Sequence, residues 1–283
     1  MSASRSSPSL SAIEIVLRRA SETHEAIAEA ELAIGLRGLV KRFGEKTILG
    51  GIDLDITPRS AVALIGANGT GKSTLLRCLI RLAPISEGTV EILGADVGRL
   101  GGRDLARLRA RVGFVFQRHN LVPRLCALSN VVHGVQARER GVRTWSHVLA
   151  RAAVRDEAMA CLSSVGLVDQ ARQRADSLSG GQSQRVAIAR MLMQRPRIVL
   201  ADEPDASLDP RTGDEVMRML FELCRSNGCT LVFVSHRLEH AMRYSDRIVG
   251  LEGGKIALDV EASRAAAGEL RAFFADAPVA HAS

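Results

Sequence analysis

The sequence predicts an α/β fold: a mainly parallel sheet covered by helices, an antiparallel β region ahead of it, and a helical subdomain inserted into it. Three observations carry this reading. Short apolar runs such as AVALIG, RIVLADEP and TLVFVSH alternate with helix-like segments, as expected when helices cross over between parallel strands. The first strand-like segments, LRGLVKRFG and TILGGIDLDITP, follow one another with only turns between them. Residues 118–177 lose the alternation and read as helices built mostly from Ala, Arg, Val and Leu.

In chain order, residues 1–33 open Ser-rich and continue with Ile13, Leu17, Ala20 and Ile27 at roughly helical spacing. The stripe is thin, so the expectation is an extension that is flexible or weakly helical. The main domain is assigned to residues 34–260. Its β structure starts at Leu36. The buried-strand run AVALIG leads into a Gly-rich loop and the helix of GANGTGKSTLLRCLIRL, then into TVEILG and RVGFVFQ. After the helical stretch come the helix QSQRVAIARMLMQ, the strand RIVLADEP, the helix GDEVMRMLFELCRSNG, the strand TLVFVSH and a final pair in DRIVGLEGGKIAL. Residues 261–283 make a short tail, and no internal repeat suggests a tandem arrangement.

Composition narrows the function classes. A chain of 283 residues with 46% apolar and 24% charged residues can bury a real core. Its net charge is +7, which fits either nucleic acid or an anionic membrane surface. The basic residues are dispersed, however, and only 3% of residues are aromatic, so there are few rings on which bases could stack; no nucleic-acid partner is expected. The longest apolar run, counting Gly, is the seven residues Ala61–Ala67, far below the ~18 that a membrane helix needs. The first residues lack the charged start and long apolar stretch of a secretory signal. Five cysteines with no C-x-x-C pair read as reduced, mostly buried side chains.

Residues 66–74, GANGTGKST, match G-x-x-x-x-G-K-[ST] between a strand and a helix. Gly66, Gly69 and Gly71 allow a turn tight enough for successive N–H groups, with those of Ala67, Asn68, Thr70 and Thr74 among them, to face phosphate oxygens at a helix N-terminus. Lys72 adds a point charge for the β- and γ-phosphates, and the Ser73 hydroxyl suits Mg²⁺. Asp202 and Glu203 end a buried strand, where two adjacent carboxylates are costly without a cation or ligand. Asp202 suits the metal, and Glu203 is placed to orient or deprotonate an attacking water. Residues 178–182 read LSGGQ: Leu178, Ser179, Gly180, Gly181 and Gln182 precede a helix, so hydroxyl and amides form a second anion site. Two phosphate-recognising surfaces with one P-loop lysine point to a dimer in which the second surface serves the other copy's nucleotide.

Over residues 36–258 the chain resembles the ATP-binding subunit of an ABC transporter. The resemblance implies a P-loop NTPase fold with a RecA-like, mainly parallel sheet core, and ATP and Mg²⁺ as cofactors. It implies that Phe43 stacks on adenine, that Gln117 contacts Mg²⁺ and the water, and that His236 reaches the γ-phosphate. It implies a D-loop at Ser207, Leu208 and Asp209. The implied partners are a second ATPase subunit, transmembrane permease subunits and, indirectly, a solute-binding protein. The implied location is the cytoplasmic face of the cell membrane, as a peripheral subunit.

Within that superfamily the chain is most similar to the ATPases of phosphonate importers, through FQRHNLVPRLCALSNVVHG, the pair Thr144 and Trp145, and YSDRIVGLEGGKI, which implies uptake of a phosphonate or of phosphite. Three features depart from the pattern: Asp205 where a small or apolar residue is expected, Ser183 where Gln is usual, and the N-terminal extension. An ABC transporter for another solute would carry the same ATP-site motifs. A soluble ABC ATPase of DNA repair or translation would carry tandem cassettes or coiled-coil insertions, and neither is visible.

Overall fold

The structure, a computed structural model, describes residues 32–266 apart from 118, 140, 142 and 143, together with 268 and 270. The extension expected over residues 1–33 therefore lies outside the described residues except for Leu32 and Ala33, and so does most of the tail. The described chain falls into two compact units, one formed by residues 120–195 and the other by the segments on either side.

The second unit holds both sheets. Strands β1 (Ile34–Phe43), β2 (Lys46–Ile56), β4 (Glu87–Ile92) and β5 (Ala95–Asp96) form an antiparallel sheet in the order β2-β1-β4-β5. Strands β3 (Ala61–Ile65), β6 (Val112–Val115), β7 (Ile198–Asp202), β8 (Thr230–Val234), β9 (Arg247–Glu252) and β10 (Lys255–Glu261) form the other, in the order β10-β9-β3-β8-β7-β6. Only the β9–β10 pair is antiparallel in this second sheet. Strands β3, β7 and β8 are buried along their whole length, which explains why they read as continuous rather than alternating apolar runs.

Register decides where the chemistry stands. Leu64 pairs with Val234, Asp202 with Val234, and Val115 with Ala201, so the C-terminal ends of the four neighbouring strands β3, β8, β7 and β6 lie side by side. The loops that carry residues 66–74, Gln117, Glu203 and His236 all leave from that edge. Ligands of open parallel sheets bind in the crevice at such an edge. The helix Lys72–Leu79 covers the sheet through Leu75, Leu76 and Leu79, which share a core with Val62, Leu64, Leu200 and Val232.

The helical unit contains the helices Ala127–Val132, Ala152–Ser164 and Gly180–Met193. It runs on to Arg195 and so includes the helix that follows LSGGQ. Within it Glu157 accepts from both Arg138 and Arg195 at 2.8 Å, tying the middle helix to the chain beyond the last one.

Cys78, Cys161, Cys224 and Cys229 are buried and Cys126 is partly exposed. Loss of solvent pushes the Cys161 and Cys229 thiols up to about 12 and Cys78 up to about 11. Because the thiolate is the reactive form, a small alkylating reagent at neutral pH should modify Cys126 in the folded protein and all five cysteines only after denaturation. Mass spectrometry of the labelled peptides checks this; rapid labelling of Cys161 or Cys229 in the folded protein would contradict the packing described.

Candidate functional site

The loop after β3 is shaped by backbone that side chains do not tolerate. Gly66 and Gly71 have φ of 135° and 103°. A Cβ on Gly66 would stand 2.3 Å from the Leu251 carbonyl oxygen, and one on Gly71 would stand 2.6 Å from Leu49 Cδ2. Gly71 also caps the helix Lys72–Leu79 without a side-chain hydrogen bond, so the first-turn N–H groups have no side-chain acceptor there. Thr70 closes the loop by donating to the Ala67 carbonyl at 2.9 Å.

Lys72 is 4% exposed and donates through Nζ to the carbonyls of Gly66 and Ala67, both at 2.8 Å. Burial lowers its pKa, and the nearby Glu203 and Asp202 carboxylates oppose that shift. Across the sheet edge Ser73 Oγ donates to Asp202 Oδ1 at 2.7 Å, and Arg77 stands 3.7 Å from the other oxygen. Burial raises the Asp202 pKa, while the Ser73 hydrogen bond and Arg77 pull it down.

Glu203, one residue past β7, has φ of 50°, a conformation rare outside glycine and frequent at functional sites. Its carboxylate reaches two other strand ends. Gln117 Nε2 donates to Oε2 at 3.3 Å, and His236 Nε2 stands 2.7 Å from Oε1. The His236 hydrogen bond, opposed by burial, holds the Glu203 carboxyl below its usual range. An ionised carboxylate at this place can accept a proton from a water, with a histidine and an amide beside it.

These contacts gather Gly66, Lys72, Ser73, Gln117, Asp202, Glu203 and His236 at one edge. Ser73 and Asp202 offer adjacent hard oxygens. Among the described residues no group of three or more His, Cys, Asp and Glu side chains could hold a metal alone. Phe43, at the end of β1, is 56% exposed rather than committed to the core, and Lys41 Nζ lies over one face of its ring, 4.3 Å from the centroid.

The LSGGQ signature segment, residues 178–182, lies within the helical unit. Ser179 caps the helix Gly180–Met193, accepting from Gln182 N, while Gln182 Oε1 accepts from Ser179 N at 2.9 Å. This reciprocal capping box was legible as S-x-x-Q. It gives Gln182 a role inside its own chain and leaves Leu178, Gly180 and Gly181 to shape the turn. In the D-loop, Leu208 N donates to the Asp205 carbonyl, and Asp209 caps the helix Pro210–Ser226 by accepting from Thr212 N.

Residues 49–206 match the ABC transporter family. The chain belongs to the ABC transporter family. As an ABC protein it is 46% identical to the phosphate-import ATP-binding protein PhnC of Mycolicibacterium smegmatis, over 82% of this chain and 88% of that one. It is 47% identical to the phosphonates import ATP-binding protein PhnC of Frankia casuarinae, over 80% and 89%. Among solved structures it resembles the dimeric ATP-binding cassette MJ0796 in a post-hydrolysis state bound to ADP and Pi, with a TM-score of 0.72, 34% identity, and coverage of 81% of this chain and 98% of that one. The α/β fold expected from sequence is thus the fold of ABC ATPase cassettes, with its antiparallel β region and parallel core.

The two loop glycines differ in what they tolerate. Gly71→Ala should abolish nucleotide binding and destabilise the protein by about 2–3 kcal/mol, through the positive φ and the Leu49 clash together. Gly69 has φ of 81° and nothing within 4 Å of a built Cβ. Gly69→Ala should therefore cost only about 1 kcal/mol. Chemical denaturation of both variants checks the order.

Proposed function

We propose that this chain is the ATP-hydrolysing subunit of an ABC importer for phosphonates, working at the cytoplasmic face of the cell membrane. The observation that carries the ATPase part is the convergence of Lys72, the Ser73–Asp202 pair and the Gln117–Glu203–His236 cluster at the ends of four adjacent strands. The substrate part rests on relatives such as the F. casuarinae protein, a phosphonates import ATP-binding protein by name.

In this reading the amides of residues 66–74 and the Lys72 ammonium hold the β- and γ-phosphates, and Phe43 stacks on adenine. Ser73, Asp202 and Gln117 would hold Mg²⁺, which neutralises phosphate charge. Glu203, kept ionised by its histidine partner, orients the attacking water and takes its proton. His236, standing beside Glu203, reaches the γ-phosphate and steadies it. Leu178–Gln182 of a second copy close over the same nucleotide, with Ser207, Leu208 and Asp209 at that interface. Binding of ATP then favours the closed pair, and loss of the γ-phosphate removes the contacts that held it.

The cell-surface partners follow from the same reading. Among the described residues no helix is long and apolar enough to cross a membrane. In this reading the solute path is formed by separate permease subunits, which receive solute from a solute-binding protein. In the helical unit Trp145, Val148 and Leu149 are exposed, an apolar group suited to docking a permease. The M. smegmatis relative, a phosphate importer by name, favours a second reading in which inorganic phosphate is carried.

Glu203→Gln keeps size and hydrogen-bonding reach while removing the base. ATP turnover should fall by about 10²–10⁴-fold, ATP should still bind, and a dimer should accumulate with ATP on size exclusion. Turnover at the parental rate would overturn the assignment of Glu203. For the substrate, deletion of the gene in a strain without a second copy should abolish growth on a phosphonate as sole phosphorus source and spare growth on phosphate. The reverse pattern would establish the phosphate reading.

A further inference from the structure

Asp205 is 5% exposed and His240 4% exposed, and they face each other where the family resemblance leads one to expect a small or apolar residue in place of the aspartate. His240 Nδ1 stands 3.1 Å from Asp205 Oδ2, within ion-pair range though without the alignment of a hydrogen bond. Arg237 Nε stands 3.7 Å from the same oxygen. Charged groups in such a place cost stability that a well-packed apolar pair would not. Their location, between the Glu203 strand end and the D-loop, is therefore informative.

The cluster joins three segments. Asp205 lies two residues past Glu203, and its carbonyl accepts from Leu208 N of the D-loop at 3.1 Å. Arg237 immediately follows His236, and its Nη1 donates to the Pro210 carbonyl at 3.2 Å, at the start of the helix that Asp209 caps. Three residues on, a Cβ at Gly213 would stand 3.3 Å from Asp205 Cβ and 3.6 Å from Arg237 Nη1, so the helix passes close against both. His240 Nε2 faces Asp214 Oδ1 at 3.6 Å. Asp214 in turn accepts from Tyr244 Oη at 2.9 Å and stands 3.6 Å from Arg243. His236 itself sits in the short loop between β8 and the helix Leu238–Tyr244.

We propose that Asp205 is a positioning residue: by holding Arg237 and His240 it fixes where His236 stands against Glu203 and binds that geometry to the D-loop. The inference rests on the ATPase reading of the site and adds to it a residue outside the family motifs. Asp205 touches no reacting atom. A shift in the His236 loop moves the histidine relative to Glu203 while leaving Lys72 and the phosphate loop in place.

The test is steady-state ATP hydrolysis by the transporter complex, with each variant assayed well below its own thermal midpoint. Asp205→Leu should lower kcat by about 10–100-fold, the range set by misplacing a catalytic group by about 1 Å, with KM for ATP within about twofold, because ground-state binding is untouched. Asp205→Asn keeps the size and the acceptor and should recover most of kcat. His240→Leu should resemble Asp205→Leu, and the double variant should lose no more than either single one. If Asp205→Leu does not fold, Asp205→Ala is read in the same way. A lowered thermal midpoint with unchanged kcat would overturn the proposal in favour of packing alone. So would a rise in KM at unchanged kcat, or losses that multiply in the double variant. Glu203→Gln assayed alongside separates the two levels: full turnover there removes the underlying site reading, whereas an inactive Glu203→Gln with Asp205→Leu at the parental rate removes this proposal only.

Discussion

One buried ammonium sets the terms for the rest of the site. Lys72 is taken out of water and held by two loop carbonyls, which supply oxygens but no negative charge. Burying an unpaired ion costs several kcal/mol. The compensation comes from Asp202 and Glu203, whose charges oppose the drop in the Lys72 pKa. That arrangement brings the end of β7 to the helix that follows the β3 loop, where Ser73 donates to Asp202, within the strand order β3-β8-β7. Sheet register, loop glycines and charge placement are one constraint seen at three scales.

The same edge explains why Glu203 has partners from distant parts of the chain. Gln117 follows β6, His236 follows β8, and each stands two residues beyond a strand whose neighbour is β7. The positive φ at Glu203 turns its side chain out of the strand's alternation and toward both. Local strain is tolerated because the hydrogen bonds from His236 and Gln117 define where the carboxylate stands.

Much of this is legible in the amino-acid sequence. Phosphate chemistry demands particular residue types in an unbroken run, so the loop at residues 66–74 and the LSGGQ segment announced themselves, and buried parallel strands showed as solid apolar runs. The same composition could not show that Gln182 closes a capping box on Ser179, although the spacing contained that signal. It could not show the Asp205–His240 pair either. Those residues are far apart in sequence and meet only because helix Leu238–Tyr244 and the D-loop helix pack together, and an isolated histidine in a sequence looks the same buried or exposed. The inserted lobe was marked by lost alternation, whereas the compact helical unit also takes in the signature helix, whose membership depends on packing rather than pattern.

The helical unit and the sheet unit therefore contribute different chemistry. The sheet unit holds the lysine, the carboxylates and the histidine; the helical unit presents the signature turn and an exposed apolar segment. In the proposed function the sheet unit recognises phosphate through the Lys72 site. Calorimetric titration of the protein and of Lys72→Ala with ATP and with AMP tests it most directly. The expected result is that the parent binds ATP at least about 100-fold more tightly than AMP, an advantage of about 2.7 kcal/mol, and that Lys72→Ala loses most of that advantage while its weak affinity for AMP persists. Equal affinity of the parent for ATP and AMP, or a Lys72→Ala variant that keeps the full preference, would contradict it.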